Sequence, residues 1–350
     1  MRKLVAITAA FSCLVFAGSA SAVKRSFFGV VSAKQPTAQD YSRMGSARVG
    51  TLRLIFNWAS IQPSGPGAYD WSSYDSMIGQ AAQQGIRVLP TIYGSPDWVA
   101  DIPQHPPSSA YYDEFTAFCR EAAERYGSNG SFWTDNLLIP KVPVTDWQVW
   151  NEVNLPGFWL PDPDPWLYTE LLVQAHAGIK GGDPRARIIV AGMPRGGGFD
   201  GSIPMVKFLK GLYRAGAAPY FDAAAVHPYA PSPRFAFKMV RSARRVMTRF
   251  GDRSPLWLTE MGWATHGGAG PLTVGMKGQA YYLTQFYEAA SSKRMRKRLG
   301  IEGVLWYSLR DAPGNYAPWP YYNTGLLRAS GAAKPSWNAF AKVAGGTPQR

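Results

Sequence analysis

Apolar, strand-like runs recur along the whole chain, separated by segments in which apolar residues return every three or four positions. The strand-like runs cover 26 to 33 (SFFGVVSA), 49 to 56 (VGTLRLIF), 86 to 93 (IRVLPTIY), 145 to 151 (TDWQVWN), 186 to 193 (ARIIVAGM), 222 to 229 (DAAAVHPY), 255 to 262 (PLWLTEMG) and 303 to 309 (GVLWYSL). Between them lie helical patterns. Asp70 is placed to cap a segment that sets Trp71, Tyr74, Met77, Ile78, Ala81 and Ala82 on one face and stops at Gly85. Phe115, Phe118, Cys119, Ala122 and Tyr126 repeat the pattern before Gly127. Leu167, Leu171, Ala175 and Ile179 repeat it again before the stop Gly181-Gly182-Asp183-Pro184. Further periodic segments cover 203 to 215, 235 to 250, 278 to 299 and 335 to 343.

Alternating helices and near-continuously apolar strands predict a parallel sheet covered on both faces. An open doubly wound sheet would call for a glycine fingerprint after the first strand, and Ser32-Ala33-Lys34-Gln35 stands there instead. Eight strands in such an alternation predict an α/β fold of the closed (β/α)8 TIM barrel type, with a single catalytic domain over residues 23 to 350.

Composition adds compartment and partners. The first 22 residues, with Arg2 and Lys3, a short apolar stretch and Ala20-Ser21-Ala22, read as a signal peptide cut after Ala22, which predicts a secreted or extracytoplasmic protein. Cys13 leaves with that segment, so Cys119 is the one thiol of the mature chain and a buried one is expected. The formal charge is +14, concentrated in Arg241 to Arg253 and in Lys293-Arg294-Met295-Arg296-Lys297-Arg298. No nucleic-acid recognition motif accompanies it, so nucleic acid is not an expected partner and an anionic cell-surface polymer is the better match. No later segment is long and apolar enough to read as a membrane span.

Catalytic groups of such barrels stand at the C-terminal ends of the strands. Strand 2 carries Arg53 toward Asn57-Trp58, strand 3 leads through Tyr93 to Trp98, and strand 4 delivers Trp150, Asn151 and Glu152. Strand 6 ends in His227-Pro228-Tyr229, strand 7 in Thr259-Glu260, and strand 8 carries Trp306 and Tyr307; strands 1 and 5 offer little. Glu152 and Glu260 thus face each other across the barrel mouth. Two carboxyl groups flanking one bond are what glycoside hydrolysis requires, one protonating the leaving oxygen while the other attacks the anomeric carbon or activates water. Like charges that close raise one of the two pKa values, giving an acid and a base near neutral pH.

Other chemistries fit less well. His105, His176, His227 and His266 are scattered and form no HxH or HExxH, so no metal ligand set and no cofactor is expected. Gly267-Gly268-Ala269-Gly270 is the one glycine-rich stretch after strand 7, and no GxSxG elbow is present. A secreted, non-catalytic carbohydrate-binding barrel is the competing reading.

Trp150-Asn151-Glu152 with Glu260 resembles the signature of clan A retaining glycoside hydrolases, and WNEVNLPGFW is similar to the pattern of glycoside hydrolase family 39 and related bacterial exopolysaccharide hydrolases. The resemblance runs from about 26 to 343 and is sharpest at 147 to 159, 226 to 229 and 257 to 263. It implies a poly- or oligosaccharide substrate with β-linked sugars, Glu152 as acid/base and Glu260 as nucleophile. It further implies that Asn151 contacts the sugar 2-hydroxyl, that Tyr229 or His227 hydrogen-bonds Glu260 or the adjacent sugar, that Arg53 partners the nucleophile, and that Trp306 floors the central subsite. Val153 stands where the pattern has proline. Trp58, Trp98, Trp159, Trp263, Trp319, Tyr321 and Tyr322 fall near loops after strands, where sugar faces pack on aromatic rings; of these Trp98 and Trp159 are taken as substrate contacts.

Overall fold

The computed structural model describes residues 23–313 and 320–349; the expected signal peptide and Trp319 lie outside them. Eight parallel strands form the barrel: β1 (Phe28–Ser32), β2 (Thr51–Asn57), β3 (Arg87–Tyr93), β4 (Asp146–Val149), β5 (Arg187–Ile189), β6 (Ala224–Val226), β7 (Leu256–Met261) and β8 (Ile301–Tyr307). Their order is β5-β4-β3-β2-β1-β8-β7-β6, and parallel bridges Ile189 to Ala223 and Met193 to Val226 join its two ends. All eight sequence-predicted strands are present, each within the run that predicted it or extended by at most two residues.

Because every strand is covered outside by helices and inside by its neighbours, both of its faces are dry, which is why the strands read as unbroken apolar runs. Inside, Val31, Leu89, Ile189, Ala223, Ala225, Trp257 and Leu305 make a core separate from the larger one between sheet and helices. Trp257 fits there because Gly303 has no side chain; a Cβ on Gly303 would meet the indole at 2.6 Å. Paired residues of neighbouring parallel strands point the same way, so the register Val31 to Arg53 to Leu89 places Arg53 in the barrel interior.

The helices carry the periodicities that predicted them, with local corrections. Helix Ser72–Gln83 buries Tyr74, Met77, Ile78, Ala81 and Ala82, but its N-cap is Trp71; Asp70 sits one residue earlier and accepts from the Ser72 amide at 2.9 Å. In helix Pro165–Gly182 the buried stripe is Tyr168, Leu171, Leu172, Ala175 and Ile179, while Leu167 is exposed. The segment 278 to 299 is two helices, Gly275–Ser291 and Lys293–Leu299, broken at Ser292, whose hydroxyl caps the second. A helix that periodicity did not single out, Ala38–Ser46, follows β1, and its start was written in the sequence as a capping box. The Thr37 hydroxyl accepts from the Asp40 amide at 3.2 Å, and the Asp40 carboxylate accepts from the Thr37 amide at 2.9 Å. Cys119 is buried and free, and burial pushes its thiol pKa up. Among the described residues no helix is long and apolar enough to cross a membrane.

Candidate active site

Strand β4 leads directly into an unusual backbone. Trp150 and Glu152 have φ of 65° and 43°, the left-handed region that side chains other than glycine rarely occupy. Such a conformation costs of order 1 to 3 kcal/mol per residue and persists only where surrounding contacts over-determine it. Here they do. The Trp150 amide donates to the Ile92 carbonyl at 2.8 Å and its indole to the Phe158 carbonyl at 2.6 Å. The Glu152 amide donates to the Gly192 carbonyl at 3.1 Å, and the Asn154 side-chain amide to the carbonyls of Pro194 and Ile203. Val153 is fully buried in the helix-side core, so an apolar branched side chain holds this turn from beneath. The outcome is that Asn151 and Glu152, adjacent in sequence, both reach the barrel mouth.

Strand β7 achieves the same by a bulge. Leu258 pairs with Val304 and Met261 with Trp306, three residues advancing against two. Neighbours on a regular strand face opposite sides, and the extra residue lets Thr259 and Glu260 both turn inward.

Around these carboxylates the interior is polar and fully connected. Arg53, 1% exposed, donates from Nη1 to Glu260 Oε1 at 2.7 Å, from Nη2 to Asn151 Oδ1 at 2.8 Å and from Nε to Gln148 Oε1 at 2.7 Å. The Tyr229 hydroxyl donates to Glu260 Oε2 at 2.9 Å. His227 Nδ1 lies 2.7 Å from Glu152 Oε1, and its Nε2 lies 3.1 Å from the Thr259 hydroxyl. Gln148 ties the floor together, its amide donating to the Val190 carbonyl and to Thr259. Gly192, on the fifth strand's extension, makes room for the His227 ring; a Cβ there would fall 2.0 Å from Nε2.

The two glutamates differ electrostatically. Burial raises the Glu152 pKa above the usual carboxylate range, and the charge of Glu260 adds to the rise, while the hydrogen bond and charge of His227 work against it. Glu260 accepts from two donors, the Arg53 guanidinium and the Tyr229 hydroxyl. Burial first, then the Glu260 carboxylate, lifts the Tyr229 phenol well above its ordinary value, so Tyr229 remains a donor. Burial with the same two glutamates raises Tyr307.

Six of the sequence-predicted site residues therefore converge: Arg53, Asn151, Glu152, His227, Tyr229 and Glu260. His227 turns to Glu152 and Tyr229 to Glu260, which separates two roles the sequence had left interchangeable. Three aromatic residues sit elsewhere. Trp306 pairs with Val30 on the helix side of the barrel, is fully buried, packs on Trp263 with ring centroids 6.0 Å apart and donates to the Thr324 carbonyl; it is no floor of the mouth. Its neighbour Tyr307 pairs with Val31 and faces inward. Trp159 is fully buried between Trp150 and Tyr168. Trp98 is half-buried against Trp58 and donates to the Gln62 carbonyl. Sequence reasoning missed Gln148 and Gly192; a lone polar residue inside an apolar strand was the available signal for Gln148.

Glu152, His227 and Glu260 each offer one ligand atom, and these atoms lie within 4.8 Å of one another, so they are the metal-ligand candidates among the described residues. The donor set suits a metal poorly. Arg53 already places a cation on Glu260 at 2.7 Å, and a metal there would face its repulsion.

Residues 32–110 match the glycoside hydrolase family 42 model, described as beta-galactosidase. No curated protein matches the chain. Among solved structures, the chain is similar to a family 39 glycoside hydrolase from the gut symbiont Bacteroides cellulosilyticus WH2, with 20% identity, 92% of this chain and 64% of that chain covered, and a TM-score of 0.65. It is similar to a monomeric beta-xylosidase from Caulobacter crescentus CB15, at 19% identity, with 92% and 68% covered and a TM-score of 0.64. It is also similar to a glucosidase from Croceicoccus marinus, at 14% identity, with 93% and 68% covered and a TM-score of 0.70. The chain thus spans 64% of the length of the family 39 enzyme. These likenesses show a shared barrel fold, and the family match is confined to residues 32–110.

Proposed function

We propose that the protein is a retaining glycosidase that cleaves β-linked sugars in a poly- or oligosaccharide by double displacement. The observation that carries this is the pairing of Glu152 and Glu260, with an oxygen from each within 4.8 Å of the other. Carboxyl groups about 5 to 5.5 Å apart suit direct attack on the anomeric carbon, whereas a wider gap leaves room for water.

Glu152, held toward its neutral form by burial, donates its proton to the leaving oxygen. Glu260, held between Arg53 and Tyr229, attacks the anomeric carbon and forms a glycosyl ester. Glu152, now ionised, then takes a proton from the water that hydrolyses that ester, and His227 at 2.7 Å supports the new charge. Asn151, its oxygen committed to Arg53, keeps its NH2 for the sugar 2-hydroxyl. Action outside the cytoplasm belongs to the same proposal, on the signal-peptide pattern expected for residues 1 to 22.

The test is hydrolysis of a panel of β-linked polysaccharides by wild type and Glu260→Gln, with the first-formed product followed by NMR. Retained configuration in the wild type and loss in the variant are expected. An inverted product removes Glu260 as nucleophile, and binding without any release of reducing sugar by the wild type makes this a carbohydrate-binding barrel.

A further inference from the structure

A cavity of about 500 Å³ opens on the strand-end face of the barrel, between the loop 194 to 204 that follows β5 and helix Pro233–Arg249 after β6. Tyr229 lines it, and the Tyr229 hydroxyl donates to Glu260 at 2.9 Å, so the cavity adjoins the catalytic pair through one side chain. Its charged lining residues are Arg195 and Lys238, and no acidic residue lines it. Both cations are exposed, and among the described residues neither side chain has a hydrogen-bond or ion-pair partner. The cavity beside Tyr307 at this face also carries cations, Lys34 and Arg310, but Asp40 and Asp311 line it with them, whereas no acid faces Arg195 and Lys238.

The wall is built to keep its shape. The Met205 amide donates to the Arg195 carbonyl at 2.9 Å, and the Gly197 amide to the Ser202 hydroxyl at 2.9 Å. Gly196 and Gly197 have φ of 59° and 71°, and a Cβ on either would run into Ile203 or Pro204. Phe235, 51% exposed, offers an apolar ring at the rim. A ring for a sugar face, beside a guanidinium and an ammonium, is complementary to a sugar that carries a negative charge.

We propose that this cavity is a subsite for an acidic sugar, with Arg195 and Lys238 binding the carboxylate of a uronic acid unit beside the scissile bond. The proposal rests on the glycosidase reading and narrows its substrate to acidic polysaccharides. Arg195 can take a carboxylate through two parallel N–H donors, while Lys238 contributes a point charge. The chain's formal charge of +14 adds a general long-range attraction for a polyanion.

The test measures binding and cleavage of β-1,4-linked mannuronan, hyaluronan and xanthan oligosaccharides, each beside its carboxyl-reduced counterpart. Glu260→Gln serves as the trap for binding, and wild type for cleavage. At least one acidic oligosaccharide is expected to bind about tenfold tighter than its reduced form, a preference that shrinks as salt rises. Adding Arg195→Gln and Lys238→Gln is expected to abolish the preference, and Lys238→Glu to reverse it. Equal or better binding of the reduced forms, no binding of any acidic probe, or a preference untouched by these variants overturns the subsite. Cleavage of neutral substrates alone discards the subsite and leaves the glycosidase standing. An acid preference without any cleavage discards the glycosidase and leaves an anion-binding cleft.

Discussion

Arg53 and Glu260, 207 positions apart in the chain, meet at 2.7 Å in the barrel interior, where Arg53 is 1% exposed. A guanidinium that dry is stable only with good acceptors, and Glu260, Asn151 and Gln148 each take a hydrogen bond from one of its three nitrogens. One buried cation thus fixes the positions of Glu260 and of Asn151, the residue beside Glu152.

Replacing Arg53 by lysine is therefore not conservative, because a single ammonium cannot hold three partners in a plane. Arg53→Lys should reduce kcat/KM by about 10²-fold or more, and Arg53→Ala should destabilise the fold by about 3 to 5 kcal/mol, the cost of leaving Glu260 buried and unpaired. Denaturant melts and steady-state rates check both. An Arg53→Lys enzyme with wild-type kinetics would show that the triple contact is structural ornament.

The two carboxylates should separate by leaving group. Glu260→Gln should lose on the order of 10³-fold or more with every substrate, because no nucleophile remains. Glu152→Ala should lose about 10² to 10⁴-fold on ordinary glycosides and far less in the first step on dinitrophenyl glycosides, whose leaving group needs no proton. Equal losses of Glu152→Ala on both substrate types contradict its role as acid.

The raised pKa of Glu152 sets a pH dependence with a definite sign. The fold favours its neutral form, so that contribution to stability is complete below the ordinary glutamate value of about 4.3 and is lost as pH rises through the raised folded value. Wild type should lose stability relative to Glu152→Gln over that window, and the rate of glycosyl transfer should fall on the same alkaline limb. Parallel stability curves for the two proteins across this range refute the assignment.

Gly192→Ala places a methyl group where the His227 ring lies, 2.0 Å from Nε2. Moving that ring breaks its contacts with Glu152 and Thr259 together. Activity should fall by about 10²-fold or more, by analogy with losing a group that positions a catalytic acid, and the alkaline limb of the pH profile should shift. Unchanged profiles would mean that His227 does not tune Glu152.

Trp306 and Tyr307 provide a contrast between neighbours. Trp306→Ala should cost about 3 to 5 kcal/mol as a core truncation. Tyr307→Phe keeps the ring, removes a hydroxyl facing the mouth, and should change KM with little loss of stability. Thermal melts beside substrate saturation curves distinguish the two; a large KM effect with intact stability at Trp306 would return it to the subsite.

The barrel and its two glutamates were legible in the chain because both rest on local signals. Strands dry on both sides must be apolar throughout, helices around them must show one apolar stripe, and acids placed just after such strands fall at one rim. Local signals give no facing, however, and facing decided the aromatic residues. Trp306 and Tyr307 are both apolar and adjacent, and only the pairing of Val30 and Val31 with β8 sends one to the helices and the other to the mouth. Trp159 follows Glu152 by seven positions, yet the turn from Trp150 to Leu155 folds it into the core.

What the sequence alone determined was the order of elements, the end of the barrel that carries chemistry, and the residue types available there. Tertiary structure decided which of them touch. The bulge before Met261 turns Glu260 inward, the left-handed backbone at Glu152 turns it toward His227, and the absence of a side chain at Gly192 lets His227 stand between strands. Each of these depends on atoms brought together from distant parts of the chain, where steric contact and buried charge, rather than any local preference, set the outcome.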